Sequence, residues 1–197
     1  SPGDGQYLDP FVNDGTTWFR TLKSDGAVKL AVKDTKAAKK RWLQAALPSG
    51  GARSVESYAK WGVYRYGKTD VLLHYYAKNI DANNSNDRIA LGRAKQQALD
   101  IVPVESDAGN SFQILWKGKP VANTAVKVRG AGLKGAKTDK DGRFKVAPTS
   151  SGQVTFHVTI DEKESGTDKG KDYSIKRHHA TLILKLTVRK IVGKPAR

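Results

Sequence analysis

Histidines are the strongest candidates for chemistry in this chain: there are four of them, with no cysteine or methionine to supply a sulfur ligand or a thiol nucleophile. His157 lies in Val154-Thr-Phe-His-Val-Thr-Ile160 on the parity of Thr155 and Thr159, opposite the apolar set Val154, Phe156, Val158 and Ile160. His179 shares its parity with Thr181 in a last alternating run from 179 to 189. If the two runs pair across the charged stretch between them, a hairpin centred near residue 169 sets both imidazoles on one face and close together. His178, or an acid among Asp161, Glu162, Glu164 and Asp172, would complete a nitrogen and oxygen ligand set for nickel, cobalt, copper or zinc. The metal candidates are therefore His157, His178 and His179. Against them stands the plainer reading of solvated surface histidines beside Lys and Arg, whose charges oppose a cation. His74, within Leu73-His-Tyr-Tyr76, reads as a hydrogen-bonded packing residue.

A second constellation is Lys36-Ala-Ala-Lys-Lys-Arg-Trp42, in which Lys36, Lys39, Lys40, Arg41 and Trp42 put four cations and a stacking aromatic within one or two helical turns. It is the candidate polyanion site, and its competing reading is a solvated helix face with Trp42 in the core. Other patterns fail on context. Gly130, Gly132 and Gly135 match a dinucleotide fingerprint, and Gly135-Ala-Lys-Thr138 approaches a phosphate loop, but Thr138-Asp-Lys-Asp-Gly142 turns into a strand where a helix N-terminus would be needed. Asp81 to Asp87 alternates oxygens like a calcium loop but lacks the glycine and the closing glutamate. There is no Gly-x-Ser-x-Gly elbow and no His-Glu-x-x-His, so no catalytic residues are assigned.

Several short strands must position these groups. Phe112-Gln-Ile-Leu-Trp116, Ala125-Val-Lys-Val-Arg129, Arg143-Phe-Lys-Val146 and Val154 to Ile160 each alternate with a period of two, separated by Lys117-Gly-Lys-Pro120 and by an Asp-Gly turn. Upstream, Trp18 to Val32 reads as a hairpin. Asp34 to Leu47 is rich in Ala, Lys and Leu and ends at Pro48-Ser-Gly-Gly51, so local rules predict a helix, with Arg41-Trp-Leu-Gln-Ala-Ala-Leu47 as an alternative strand. Val55 to Ile80 is dense in aromatics, with Val63 to Tyr66 and Val71 to Tyr76 as strands or buried segments, and Arg88 to Leu99 is locally helical. Asp161 to Lys176 reads as a mobile, charged hairpin loop, and a domain junction is expected near Glu105 to Asn110.

With 38% hydrophobic residues, the composition allows one sizeable core or two small ones and argues against disorder. No apolar run is long enough to cross a bilayer. The net charge of +16 is uneven: residues 111–197 hold 19 Lys and Arg against 7 Asp and Glu, whereas residues 54–110 hold 7 of each. Such a field suits an acidic polymer, an anionic lipid or solubility alone, and nothing in it specifies nucleic-acid recognition.

Leu115-Trp-Lys-Gly-Lys-Pro-Val-Ala-Asn-Thr-Ala-Val126, then Thr138-Asp-Lys-Asp-Gly-Arg-Phe144, then a glycine before a strand that carries His157, resembles the transthyretin-like or carboxypeptidase-regulatory-like β-sandwich module. The order Tyr76-Ala-Lys78, Leu99-Asp-Ile-Val-Pro-Val104, that module and Ala180-Thr-Leu-Ile-Leu184 is similar to an uncharacterised family of exported bacterial proteins found beside nickel and cobalt transport components. At the N-terminus Tyr7-Leu-Asp-Pro10 resembles the family's opening motif, but Asp4 stands where its histidine would be. The resemblance implies a periplasmic or cell-surface, non-enzymatic binding or accessory protein. Its cofactor candidate is a divalent transition metal, and its expected partner a membrane transport component or an envelope protein or polymer. The alternative is an interaction module that docks through its basic sandwich on an acidic protein, a glycan or an envelope polymer. The expected fold is mainly β in two domains: an aromatic-rich N-terminal β domain over 1–107 with one or two short helices, an antiparallel transthyretin-like sandwich over 108–192, and a basic tail over 193–197.

Overall fold

A computed structural model of the chain describes residues 6–13, 15–23, 26–38, 40–47, 50–106 and 110–188. Lys39 and the basic tail lie outside the described residues. The architecture is mainly β. In the N-terminal half the elements are α1 (Asp9–Asn13), β1 (Thr16–Thr21), β2 (Val28–Leu30), β3 (Lys33–Ala37), β4 (Lys40–Gln44), β5 (Arg53–Tyr66), β6 (Thr69–Asp81), α2 (Ser85–Ala90) and β7 (Leu99–Val104). They continue as β8 (Asn110–Trp116), β9 (Lys119–Pro120), β10 (Ala125–Arg129), β11 (Ala136–Lys137), β12 (Arg143–Val146) and β13 (Gly152–Glu162), then β14 (Gly166–Asp168), β15 (Lys171–Tyr173) and β16 (Ile175–Leu186).

One sheet of eight strands runs in the order β11-β10-β13-β16-β6-β5-β1-β2, and a smaller one in the order β12-β8-β7 with β9 beside β8. The alternation read in the sequence explains which faces meet. Val154, Phe156 and Val158 of β13 and Ala180, Leu182, Leu184 and Leu186 of β16 are buried, and they share one core with Leu99 and Ile101 of β7, Phe112 and Ile114 of β8 and Phe144 of β12. The rings of Phe112 and Phe156 lie 4.5 Å apart, centroid to centroid, closing the two sheets over each other.

The expected hairpin over Trp18–Val32 forms, with Trp18 opposite Lys29 and Phe19 opposite Val28. The ladder crosses the expected junction near residues 105–110. β16 pairs in parallel with β6 from Ile175 opposite Val71 to Leu184 opposite Ile80, and every other pair in the large sheet is antiparallel.

Three local expectations are corrected. The described residues of 34–47 form no helix; β3 and β4 make a hairpin, with Ala38 at φ +47°, and the strand alternative for residues 41–47 holds over 41–44. Helix propensity there is outweighed by cross-strand pairing: Arg41 of β4 donates from Nε and Nη2 to both carboxylate oxygens of Asp34 on β3, at 2.8 and 2.9 Å, and from Nη1 to Asp9 at 2.6 Å. Helix α2 stops at Ala90, and residues 91–98 are irregular because buried side chains from neighbouring strands take their backbone groups. Arg20 donates to the carbonyls of Leu91 and Arg93 and Lys78 to that of Gly92, while Asp100 and Glu56 accept from the N–H of Ala94 and Lys95. Residues 161–176 form the expected hairpin, but with strands of their own and tertiary anchors in place of a bare loop. β13 and β16 extend into them, and the β14–β15 hairpin is tied down by the ion pair of Lys60 with Asp168 and by Ser174 N–H donating to the Asp70 carbonyl.

Candidate functional site

The β13–β16 hairpin has the expected register, with Glu162 opposite Lys176 and Thr159 opposite His179, and so is centred on residue 169. It brings His157 Nε2 to 3.3 Å from His179 Nδ1, with the rings 5.4 Å apart and nearly parallel. Thr159 Oγ1 lies 3.1 Å from the same Nδ1, and Tyr75 of β6 stacks on His179 at 4.9 Å. Burial lowers the pKa of His179 to about 4, with His157 adding to the effect. Burial also lowers that of His157, followed by the charges of Lys127 and Arg129. Both imidazoles are therefore neutral near pH 7, in a cationic surround.

His178 does not join them. Successive residues of a strand point to opposite faces, and His178 is 3% exposed on the core side. There it stacks on His74 at 4.7 Å and meets the Trp116 ring at 4.5 Å, with its Nε2 3.3 Å from Glu162 Oε2. His74 Nδ1 lies 2.9 Å from the Tyr58 hydroxyl, in the packing role expected of it. The expected trio is thus split into a His157–His179 pair and a His74–His178 pair, and among the described residues no three His, Asp or Glu side chains are arranged to hold a metal ion.

The polyanion candidates are also rearranged. Lys36 and Lys40 are exposed on the β3–β4 hairpin, but Arg41 is held by Asp34 and Asp9, and Trp42 is 41% exposed rather than in the core. Strand pairing replaces the expected helical row of cations and turns Arg41 and Trp42 towards a cleft.

That cleft, about 550 Å³, is lined by Tyr7, Leu8, Phe11, Arg41, Trp42, Leu43, Trp61 and Tyr75. Three elements build it. The segment around α1 supplies Tyr7, Leu8 and Phe11, and it is fastened by Trp61 Nε1 donating to the Tyr7 carbonyl at 3.2 Å and by the 6.0 Å contact of Phe11 with Tyr75. The hairpin supplies Arg41, Trp42 and Leu43, fixed by the Arg41–Asp9 bridge to that same segment. The sheet supplies Tyr75 and Trp61, and the ladder shifts register between Lys60 and Gly62, where Gly62 has φ +110°. Such a bulge re-aims the side chain at the extra residue, here Trp61. Tyr75 joins the cleft to the His157–His179 pair, since it contacts both Phe11 and His179.

Sequence reasoning noted the aromatic density between 55 and 80 but did not converge Tyr7, Phe11, Trp61 and Tyr75, because convergence depends on how α1 and the β3–β4 hairpin fold onto the sheet. The one local signal was Trp61-Gly62, an aromatic next to the residue that tolerates a bulge. The volume falls within the range of small-molecule sites, and aromatic faces suit flat or ring-bearing ligands. Comparison of the chain with protein-family models, curated proteins and solved structures finds no match, so its function is argued from this geometry.

Proposed function

We propose that the chain is a non-enzymatic binding protein whose cleft takes a sugar ring of an acidic glycan or envelope polymer. The observation that carries this reading is the convergence of Tyr7, Phe11, Trp42, Trp61 and Tyr75 on one cleft of about 550 Å³. Exposed Lys36 and Lys40 on the adjoining hairpin and the overall charge of +16 favour an anionic polymer over a neutral one. The facing sheets between residues 99 and 186 support reading this part as a transthyretin-like sandwich, and the resemblance in its turns supports an exported, periplasmic or cell-surface setting.

Calorimetric titration with a uronic-acid oligosaccharide tests the reading. Binding that is lost in Trp42→Ala and Trp61→Ala variants of unchanged melting temperature, and that weakens as salt rises, is the expected result. Equal affinity in those variants would remove the cleft from the function.

A second reading, a transition-metal site, is favoured by the 3.3 Å approach of His157 Nε2 and His179 Nδ1. Two neutral imidazoles leave the remaining positions of a bound nickel or cobalt ion for water or a ligand group. Titration of the metal-free protein with nickel and cobalt, alongside a His157→Ala/His179→Ala variant, tests it. Absence of heat from the wild type at neutral pH would end this reading and leave the glycan reading standing.

A further inference from the structure

Lys78 is among the largest fully buried side chains of the protein, 2% exposed, and its Nζ contacts a carboxylate oxygen of Asp100, itself 4% exposed. They come from different sheets, Lys78 from β6 and Asp100 from β7. Directly opposite Lys78 on β5 stands Glu56, 0% exposed. We propose that Lys78 and Asp100 condense in the folded protein to an isopeptide bond that staples the two sheets, with Glu56 as the local proton relay.

The surroundings are arranged as this condensation requires. The Gly92 carbonyl accepts from Lys78 Nζ and so orients the amine. The Ala94 N–H donates to Asp100 Oδ2 at 2.8 Å, where it would hold the negative charge that grows on that oxygen as Cγ becomes tetrahedral. Arg20 Nε, at 2.9 Å, and the Lys95 N–H, at 3.0 Å, hold the Glu56 carboxylate, whose charge acts on Lys78 across the β5–β6 pair. Burial lowers the pKa of Lys78, with Asp100 acting in the other direction, so the neutral and nucleophilic amine is more accessible than it would be in water. Contact between the reactants within a rigid two-sheet core removes most of the entropic barrier.

The step balances without a co-reactant. Nζ forms a bond to Cγ of Asp100 and the Cγ–Oδ1 bond breaks. Of the three ammonium protons, one stays on the amide nitrogen and two leave with the departing oxygen as water. The charges of the ammonium and the carboxylate vanish together, removing an ion pair from a site where charge is poorly solvated. A permanent ion pair would place the same atoms in the same way, so mass decides between the two.

The test is the intact mass of the purified, denatured full chain, followed by proteolysis. The expected result is a chain one water lighter than its sequence, yielding a branched peptide that joins residues 78 and 100. Lys78→Met and Asp100→Ala chains should carry their full sequence mass, and Glu56→Gln should be condensed in smaller fraction than the wild type. A wild-type chain that melts cooperatively yet has its full mass overturns the proposal. So does a water loss that the digest places elsewhere, for instance as a succinimide at Asp141-Gly142. Condensation of Glu56→Gln as complete as that of the wild type overturns the assignment of the relay.

Discussion

Two pairs of imidazoles lie on opposite faces of one band of the sheet, and their surroundings fix how the protein responds to acid. Burial lowers the pKa of His74 to about 4, helped by its neighbour His178, and that of His179 likewise, helped by His157. In the unfolded chain both return towards the ordinary value of 6.5. Between pH 6.5 and 4 the unfolded chain therefore binds protons that the folded chain does not, so stability is full above this window and falls as the pH drops through it. The lowered carboxylates Asp161 and Glu162 act in the same direction, but their contribution is lost only below their ordinary values of 3.8 and 4.5. Thermal melts should show a midpoint that declines from pH 7 to pH 5, with a shallower decline in His74→Gln; a flat profile would contradict the assignment. A different residue measures packing alone. Phe156 is 0% exposed between Phe112 and Phe144, so Phe156→Ala should cost about 3–5 kcal/mol in a denaturant titration. The burial of Phe156 was legible from its parity with Val154 and Val158, and so was the approach of His157 to His179, which needs only a hairpin register. The separation of His178 from His179 follows from the same alternation, and grouping the two as co-ligands overlooked it.

At the scale of elements, the bulge at Trp61-Gly62 and the β3–β4 hairpin decide whether the cleft exists. Gly62 has φ +110° with open space around the position of a Cβ, so a side chain there meets no clash but must hold an unfavourable backbone. Gly62→Val should cost about 1–3 kcal/mol or straighten the bulge. Either response moves Trp61, readable as a shift in tryptophan emission and as weaker oligosaccharide binding. Unchanged emission and stability would mean that the bulge does not position Trp61. The hairpin also shows where sequence reading loses its grip. Asp34 to Leu47 carries helix-forming Ala, Lys and Leu, yet Arg41 joins β4 to β3 through Asp34 and to α1 through Asp9, and these partners lie seven and thirty-two positions away. Propensity sums only neighbours along the chain. The alternating runs of β13 and β16 were legible because their apolar period of two fits no helix, whereas residues 91–98 follow donors and acceptors contributed by Arg20, Glu56, Lys78 and Asp100.

For the whole molecule, the parallel pairing of β16 with β6 has the largest consequence. β16 lies inside the large sheet, hydrogen-bonded to β13 on one side and to β6 on the other, so residues 175–186 complete a sheet begun by residues 16–81. Parallel neighbours cannot be joined by a tight turn, and this pair is linked through residues 82–174. Turn signals announce which strands fold back on each other but carry no mark of such a closure, so nothing in the sequence signals that β16 returns to β6 from beyond the expected junction near residues 105–110. The core is shared in the same way, with Tyr76 and Ile80 of β6 in the cluster that holds Phe112, Phe144 and Leu184. Unfolding either half would expose the face and the hydrogen-bonding edge of the other. Thermal and denaturant unfolding should therefore give a single transition, coincident when followed by tryptophan emission, which senses the cleft through Trp42 and Trp61 and both sheets through Trp18 and Trp116, and by far-ultraviolet dichroism, which senses all strands. Hydrogen exchange should be slowest in β16, β6 and β13 and fastest in the edge strands β2 and β11. Two separated transitions, or protection in β6 that survives the loss of protection in β16, would show that residues 1–107 and 108–192 fold as independent units joined only by their ladder. Cooperative loss of both would make the parallel pair the seam on which the native state depends.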